Sequence, residues 1–178
     1  YILVEANMWA DRHDAAKMMA AMDKGLKRFP RDQEMVTAYL MALLFAERED
    51  DALTMAKLYA DRKASAPWAK AICGRIYALQ GNEADADAMF AEALACAKPR
   101  HLALVLEQAS IGYGPKTAVD KIDELRVNRP NDWQVLTSLS SMALTTGQNE
   151  RALAFLDEAA ELATDDDAKA SVHFIRGR

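Results

Sequence analysis

The sequence is poor in nearly everything that builds a catalytic centre. Cysteine is limited to Cys73 and Cys96, too few for a disulfide scaffold and not spaced as CxxC. Histidine is limited to His13, His101 and His173, which lie far apart and form no HxxxH or HExxH pattern. No metal ion or other cofactor is therefore expected. No apolar run approaches the roughly 18 residues of a membrane-spanning helix, and Tyr1-Ile2-Leu3-Val4 is too short for a signal-peptide core. Cationic excess is also missing. A net charge of −5 and a pI near 5.2 repel phosphate backbones, which disfavours nucleic acid. The densest basic stretch, Lys24 to Arg28, reads as the solvated face of one helix.

Glycine (7) and proline (5) are scarce, while alanine and methionine abound. That balance favours helix, since alanine and unbranched side chains lose little entropy in one. An apolar share of 51% with 28% charged residues is that of a folded domain, not a disordered segment. No strand pattern is recognisable, so no glycine-rich phosphate loop follows one. Ser138, Ser140 and Ser141 fall in a helical pattern without GxSxG. Asp165-Asp166-Asp167 lacks the spacing of a calcium loop and reads as a helix N-cap with acids in the first turn. Gly112-x-Gly114 precedes Pro115 and reads as a turn. Cys73 reads as an inert buried thiol. No catalytic residue is expected.

What the sequence does have is a period. Ala52, Ala86, Ala118 and Ala152 recur in similar polar-alanine-apolar contexts at separations of 34, 32 and 34 residues. Four residues beyond each stands Ala56, Phe90, Ile122 or Leu156, and seven beyond stands Tyr59, Ala93, Leu125 or Ala159. Offsets of 0, +4 and +7 follow one helix face. Gly81 and Gly147 stand five residues before Ala86 and Ala152, fitting the left-handed position that ends a helix. Glu47-Arg48-Glu49-Asp50 occupies the equivalent turn without glycine, its acids suited to the next helix N-terminus. Pro30, Pro67, Pro99 and Pro130 punctuate the joints between units.

Lys70-x2-Cys73-Gly74-x2-Tyr77, followed by Ala86-x3-Phe90 and Pro99, resembles the tetratricopeptide repeat. The last full unit keeps Leu136, Leu139, Gly147, Ala152, Leu156 and Ala159, with Ser140 at the family glycine. The resemblance implies an all-α fold, a right-handed superhelical solenoid of antiparallel helix pairs. Its units run 1–32, 33–66, 67–100, 101–132 and 133–168, with a half-unit over 170–178 as a single array. The register runs on into that half-unit without a polar cap, and the chain opens on Tyr1 rather than Met. The reading is a piece of a longer protein.

The same resemblance implies a non-catalytic scaffold whose first helices line a concave groove for a partner peptide or amphipathic helix. By register the groove takes Leu3, Asn7 and Ala10, then Glu34, Thr37, Met41, Leu44 and Phe45. Next come Trp68, Ala71, Arg75, Ala78 and Leu79, then Leu102, Val105 and Ala109, and last Gln134, Thr137, Ser141 and Leu144. A clamp for a carboxylate terminus needs several converging donors, and this largely neutral surface departs from it. The anchors expected are Met41, Phe45, Trp68, Arg75 and Leu79; the alternative for Phe45 and Trp68 is packing between units. Met18, Met22, Gly25 and Leu26 read as a core face, with a flexible methionine surface as the alternative. Two other functions stand beside the scaffold. One is a regulatory or docking segment of a larger enzyme or secretion-type assembly; the other is an RNA-binding helical repeat, against which the acidic charge argues. Reduced thiols favour cytoplasm over periplasm.

Phe90 is placed as the aromatic of a helix-pair core, so Phe90→Ala is expected to cost roughly 3–5 kcal/mol. Chemical or thermal unfolding that registers under about 1 kcal/mol would remove it from the core.

Overall fold

The computed structural model describes residues 1–62, 66–129 and 132–177, with the side chains of Arg62, Asn128 and Asp167 left aside. Pro130 lies outside the described residues. Among the described residues there are eleven α-helices, one short 3-10 turn and no strand. They divide into two compact units, residues 1–62 and 63–178.

In the first unit α1 (Ile2–Asp11) pairs with α2 (Ala15–Arg28), and α3 (Gln33–Phe45) with α4 (Glu49–Arg62). Met18, Met22, Val36, Leu40, Leu43, Ala52 and Ala56 are buried. Gly25 is buried with them, and Leu26 is half-buried.

In the second unit the pairs are α5 (Pro67–Leu79) with α6 (Glu83–Cys96), α7 (Pro99–Tyr113) with α8 (Pro115–Leu125), and α9 (Trp133–Thr145) with α10 (Asn149–Leu162). The last helix, α11 (Asp166–Arg176), packs on α9 and α10. It starts four residues before the new half-unit expected near Ala170. Asp165 caps it by accepting from the Ala168 amide at 2.7 Å.

The turns inside the pairs repeat at the level of single hydrogen bonds. His13, Glu47, Gly81 and Gly147 all sit at positive φ, between 54° and 75°. In each case the next amide donates five residues back: Asp14 to Trp9, Arg48 to Leu43, Asn82 to Tyr77 and Gln148 to Ala143, at 2.9–3.0 Å. This bond closes the helix end by satisfying a carbonyl that the helix itself leaves open. Asp14 and Asn82 then cap the following helix through Lys17 and Asp85. Two of the four left-handed positions are therefore held by residues with a side chain. In the turn after α3, Glu49, Asp50 and Asp51 lie in the first turn of α4, and Arg48 donates to Asp51 at 2.7 Å.

The fourth pair departs from this. Helix α7 continues through Ile111, Gly112 and Tyr113, so Gly112 is helical and not part of a turn. Only Gly114 turns, at φ 83°, and it serves as the last residue of one cap and the first of the next. Pro115 has no amide hydrogen, so the five-residue-back bond of the other turns cannot form here. Gly112 instead lets α7 approach α5, because a Cβ there would stand 3.2 Å from the Arg75 Cα.

Packing inside the second unit centres on Phe90, which is fully buried. A Cβ at position 74 would meet its ring at 2.9 Å, so only glycine admits the aromatic at this distance. Tyr113 stacks on its other side at 5.3 Å between centroids. Tyr77 of the repeat motif is only half-buried. The Tyr113 hydroxyl donates to Asp87 at 2.6 Å and Lys121 donates to the same carboxylate at 3.0 Å, tying α6, α7 and α8 together. Further on, Arg126 grips Glu158 with two bonds of 2.9 Å, and Arg129 donates to the Leu94 and Ala97 carbonyls.

The two ways of making the left-handed turn give opposite expectations. A Cβ added at Gly81 would meet nothing within 4 Å, so Gly81→Ala costs only backbone strain, about 1 kcal/mol. Glu47→Gly removes that strain and is expected to leave stability unchanged or raise it by up to about 1 kcal/mol. Urea unfolding of both variants checks the contrast; equal losses would show that the turn geometry is not what limits either position.

Candidate functional site

Clefts open on the first helices of the pairs in both units. In the first unit Leu3, Ala6, Asn7 and Ala10 of α1 face Ala38, Met41, Ala42 and Phe45 of α3 across a cleft of about 280 Å³. Met18 and Met22 of α2 form its floor. The α1 residues recur at intervals of three, one and three, and the α3 residues likewise, which is the spacing of one helix face. Behind the cleft, the Tyr39 hydroxyl donates to Asp23 at 2.8 Å and holds α3 to α2. Burial first, and the hydrogen bond to Asp23 second, push the Tyr39 hydroxyl up to about 12.

In the second unit a wider cleft of about 480 Å³ lies between α7 and α9, lined by Ala103, Leu106, Glu107, Ser110 and Ile111 with Ser138, Ser141 and Met142. The hydroxyls of Ser138 and Ser141 are turned back on their own helix, donating to the Gln134 and Thr137 carbonyls at 2.7 and 3.0 Å. They are thus satisfied locally. Among the described residues no group of three or more His, Cys, Asp or Glu side chains is arranged to hold a metal ion. Burial pushes the Cys96 thiol up, away from the thiolate form that a nucleophile needs.

Over 99% of this chain and 98% of its own, a thermophilic TPR protein of Thermus thermophilus is similar in structure, with a TM-score of 0.50 at 14% identity. The fold is that of the tetratricopeptide repeat. A crystal structure of MamA aligns at a TM-score of 0.46 and 16% identity over 93% of this chain and 96% of that one. A tetratricopeptide repeat protein of Parabacteroides merdae aligns at 0.48 and 10% identity over 99% and 70%. No family model and no curated protein matches the sequence. In the chain as described, no helix is long and apolar enough to cross a membrane.

With the tetratricopeptide register in place, the sequence-predicted anchors separate. Met41 and Phe45 line one cleft, and Leu3, Asn7 and Ala10 line it with them. Phe45 is 50% exposed and Leu79, its equivalent on α5, 48%. Trp68 is only 3% exposed, which fits the packing alternative and takes it away from an incoming chain. Arg75 is half-buried and donates to Gln108, itself buried on α7, at 3.3 Å. That bond gives it a part in joining α5 to α7.

The positions expected on α7 are also corrected. Leu102, Val105 and Ala109 are buried, and Ala103, Glu107 and Ile111 line the cleft in their place. Counting from Thr37, Met41 and Phe45 by 34 reaches Ala71, Arg75 and Leu79; the next step is 32 and reaches Ala103, Glu107 and Ile111. A count of 34 from Trp68, Ala71 and Arg75 gives Leu102, Val105 and Ala109, two residues too far and about 200° round the helix from the exposed face. Ala71 and Thr137 are buried as well.

His101 stands at the start of the α7 wall. Its Nδ1 faces the Lys98 amide at 3.4 Å and its Nε2 faces the Arg100 Nε at 3.2 Å. A neutral imidazole keeps one N–H and so accepts only one of these at a time. Burial, then the charges of Arg100 and Lys98, hold His101 below the ordinary histidine value of 6.5. A group lowered on folding supports the fold fully above its unfolded value, and that support is lost as pH falls from 6.5 through the folded value. Melting temperatures measured from pH 7.5 down to about 5 are expected to fall more steeply for the natural chain than for His101→Gln. Parallel curves would show that this histidine does not couple to folding.

Proposed function

We propose that the chain is a non-catalytic protein-interaction scaffold that receives a peptide or helix of another protein on the first helices of its pairs. The observation that carries this is the open cleft in which Met41 and Phe45 stand with Leu3, Asn7 and Ala10. Helix pairs of this kind bury one face on each other and leave the first-helix face for partners. A half-exposed phenylalanine beside a flexible methionine is the kind of contact from which interface anchors are built. Leu79, and Ile111 at 43% exposure, offer the equivalent apolar edge in the second unit.

The reading is tested by comparative capture. Natural chain, Phe45→Glu and Leu79→Glu, each shown by circular dichroism to fold and melt alike, are used to recover partners for quantitative mass spectrometry. A protein retained by the natural chain is expected to fall about tenfold or more with at least one variant, as for loss of a central anchor. Recovery unaffected by both substitutions would overturn the first-helix face as the binding surface.

A further inference from the structure

The cleft of the first unit differs from the rest of the chain in the charge of its walls. Helix α1 carries Glu5 and Asp11 and no base; α3 carries Glu34 and no base. By contrast, α5 carries Lys70 and Arg75, α7 carries Arg100 beside Glu107, and α9 carries no charge. Three exposed acids stand at the rim of the cleft. Glu34 lies one turn before Ala38 on the stripe that continues through Met41 and Phe45. Asp11 lies one turn beyond Asn7, and Glu47 follows Phe45 in the turn. None of the three has an ion-pair partner among the described residues.

Four of the nearby cations make contacts elsewhere. Lys17 pairs with Asp14 at 2.9 Å and sits over the Trp9 ring, Arg12 stacks on that ring at 5.3 Å, and Arg48 pairs with Asp51 at 2.6 Å. Arg28 stacks on Phe29 at 5.4 Å. Lys24 and Lys27 stand about 120° or more round α2 from Met18 and Met22, so they face away from the cleft. Arg31, exposed in the turn three residues before Glu34, adds one base near the rim, but the helices that form the cleft walls carry acids and no base above an apolar floor.

Three features of the floor narrow the occupant. At about 280 Å³ the cleft lies below the ~300–1,000 Å³ of ordinary small-molecule pockets, so it suits side chains projecting from a segment laid across it. Asn7 is the one amide side chain in its lining, which offers few partners for the open main chain of an extended peptide. A helix brings its backbone already satisfied and projects apolar side chains at i, i+3 and i+4. Met41 adapts its thioether chain to such anchors, with Met18 and Met22 buried beneath it.

Resting on the reading that this cleft takes a protein segment, we propose that its occupant is a cationic amphipathic helix. The apolar face of that helix sits on Leu3, Met41 and Phe45, above the buried Met18 and Met22, and its lysines or arginines lie against Asp11, Glu34 and Glu47. The match of acid rim to basic face sets which partners are admitted and quickens their encounter, while the apolar anchors hold them.

The test uses the intact chain labelled with carbon-13 at the methionine methyl groups. Three synthetic peptides of about 14 residues are titrated against it. The first is a leucine-lysine helix with one apolar face, the second replaces its lysines by glutamate, and the third keeps the lysines but scatters the leucines. The first is expected to shift the Met18, Met22 and Met41 methyls and leave Met142 in place. Glu34→Lys with Glu47→Lys, both exposed and shown by circular dichroism to fold as the natural chain does, is expected to weaken it about tenfold. Equal or tighter binding of the glutamate peptide at the same methyls would overturn the cationic partner and leave the cleft reading standing. Equal binding of the scattered peptide, or indifference to the two lysine substitutions, would likewise overturn it. No shift of these three methyls with any peptide would remove the cleft reading and the charge inference together.

Discussion

The second unit depends on how closely two helices of a pair can approach, and the contact of Phe90 with Gly74 sets that distance. A side chain at position 74 would strike the ring at 2.9 Å. With glycine there, Phe90 is buried completely, and Tyr113 of the following pair covers its other side at 5.3 Å. One residue thus belongs to its own pair and to the next one, which is what allows pairs with one apolar face each to share a core. The charged groups lie round this contact. Asp87 holds Tyr113 and Lys121 together at the edge of the aromatic stack.

The equivalent positions in the other pairs divide the volume differently. Leu40 stands opposite Ala56 in the register, Leu106 opposite Ile122, and Ser140 opposite Leu156. All six are buried. Where glycine is replaced, the partner is smaller than phenylalanine, as close packing requires. Ser140 carries a cost, because its hydroxyl has no hydrogen-bond partner among the described residues. A helix turn tolerates a parallel substitution: the left-handed residue is glycine at 81 and 147 but His13 and Glu47 in the first unit. The helix-end bonds are the same in all four, so the backbone pattern is maintained against a modest local strain.

Function rests on what this packing leaves outside. Burying one face of each helix brings Trp68, Val105 and Ala109 inward and leaves Phe45, Leu79 and Ile111 about half exposed. The methionine-floored cleft of the first unit is apolar without being filled, and its walls carry acids without bases. Under the proposed charge match, such a surface selects through charge and admits through shape, because a thioether chain repacks around different anchors.

The helical class and the period were legible from residue order. Alanine-rich segments with apolar residues at offsets of 0, +4 and +7 specify helices and the face each buries, and Gly81, Gly147 and the prolines mark where they stop. These are local properties, set by backbone propensity and side-chain spacing. The turn at Glu47 was placed by the repeat, but the left-handed conformation of Glu47 and His13 was not legible, because neither residue is glycine. The cleft between α7 and α9 was hidden because a count of 34 from α5 lands two residues too far along α7, about 200° round the helix, on positions that prove buried. Met41 and Phe45 could be picked out by register, whereas the burial of Trp68 and the bond from Arg75 to Gln108 required the packed chain. Residue order determines which faces are apolar, but the choice of the face left open belongs to the tertiary structure, because exposure is a property of neighbours far away in the chain.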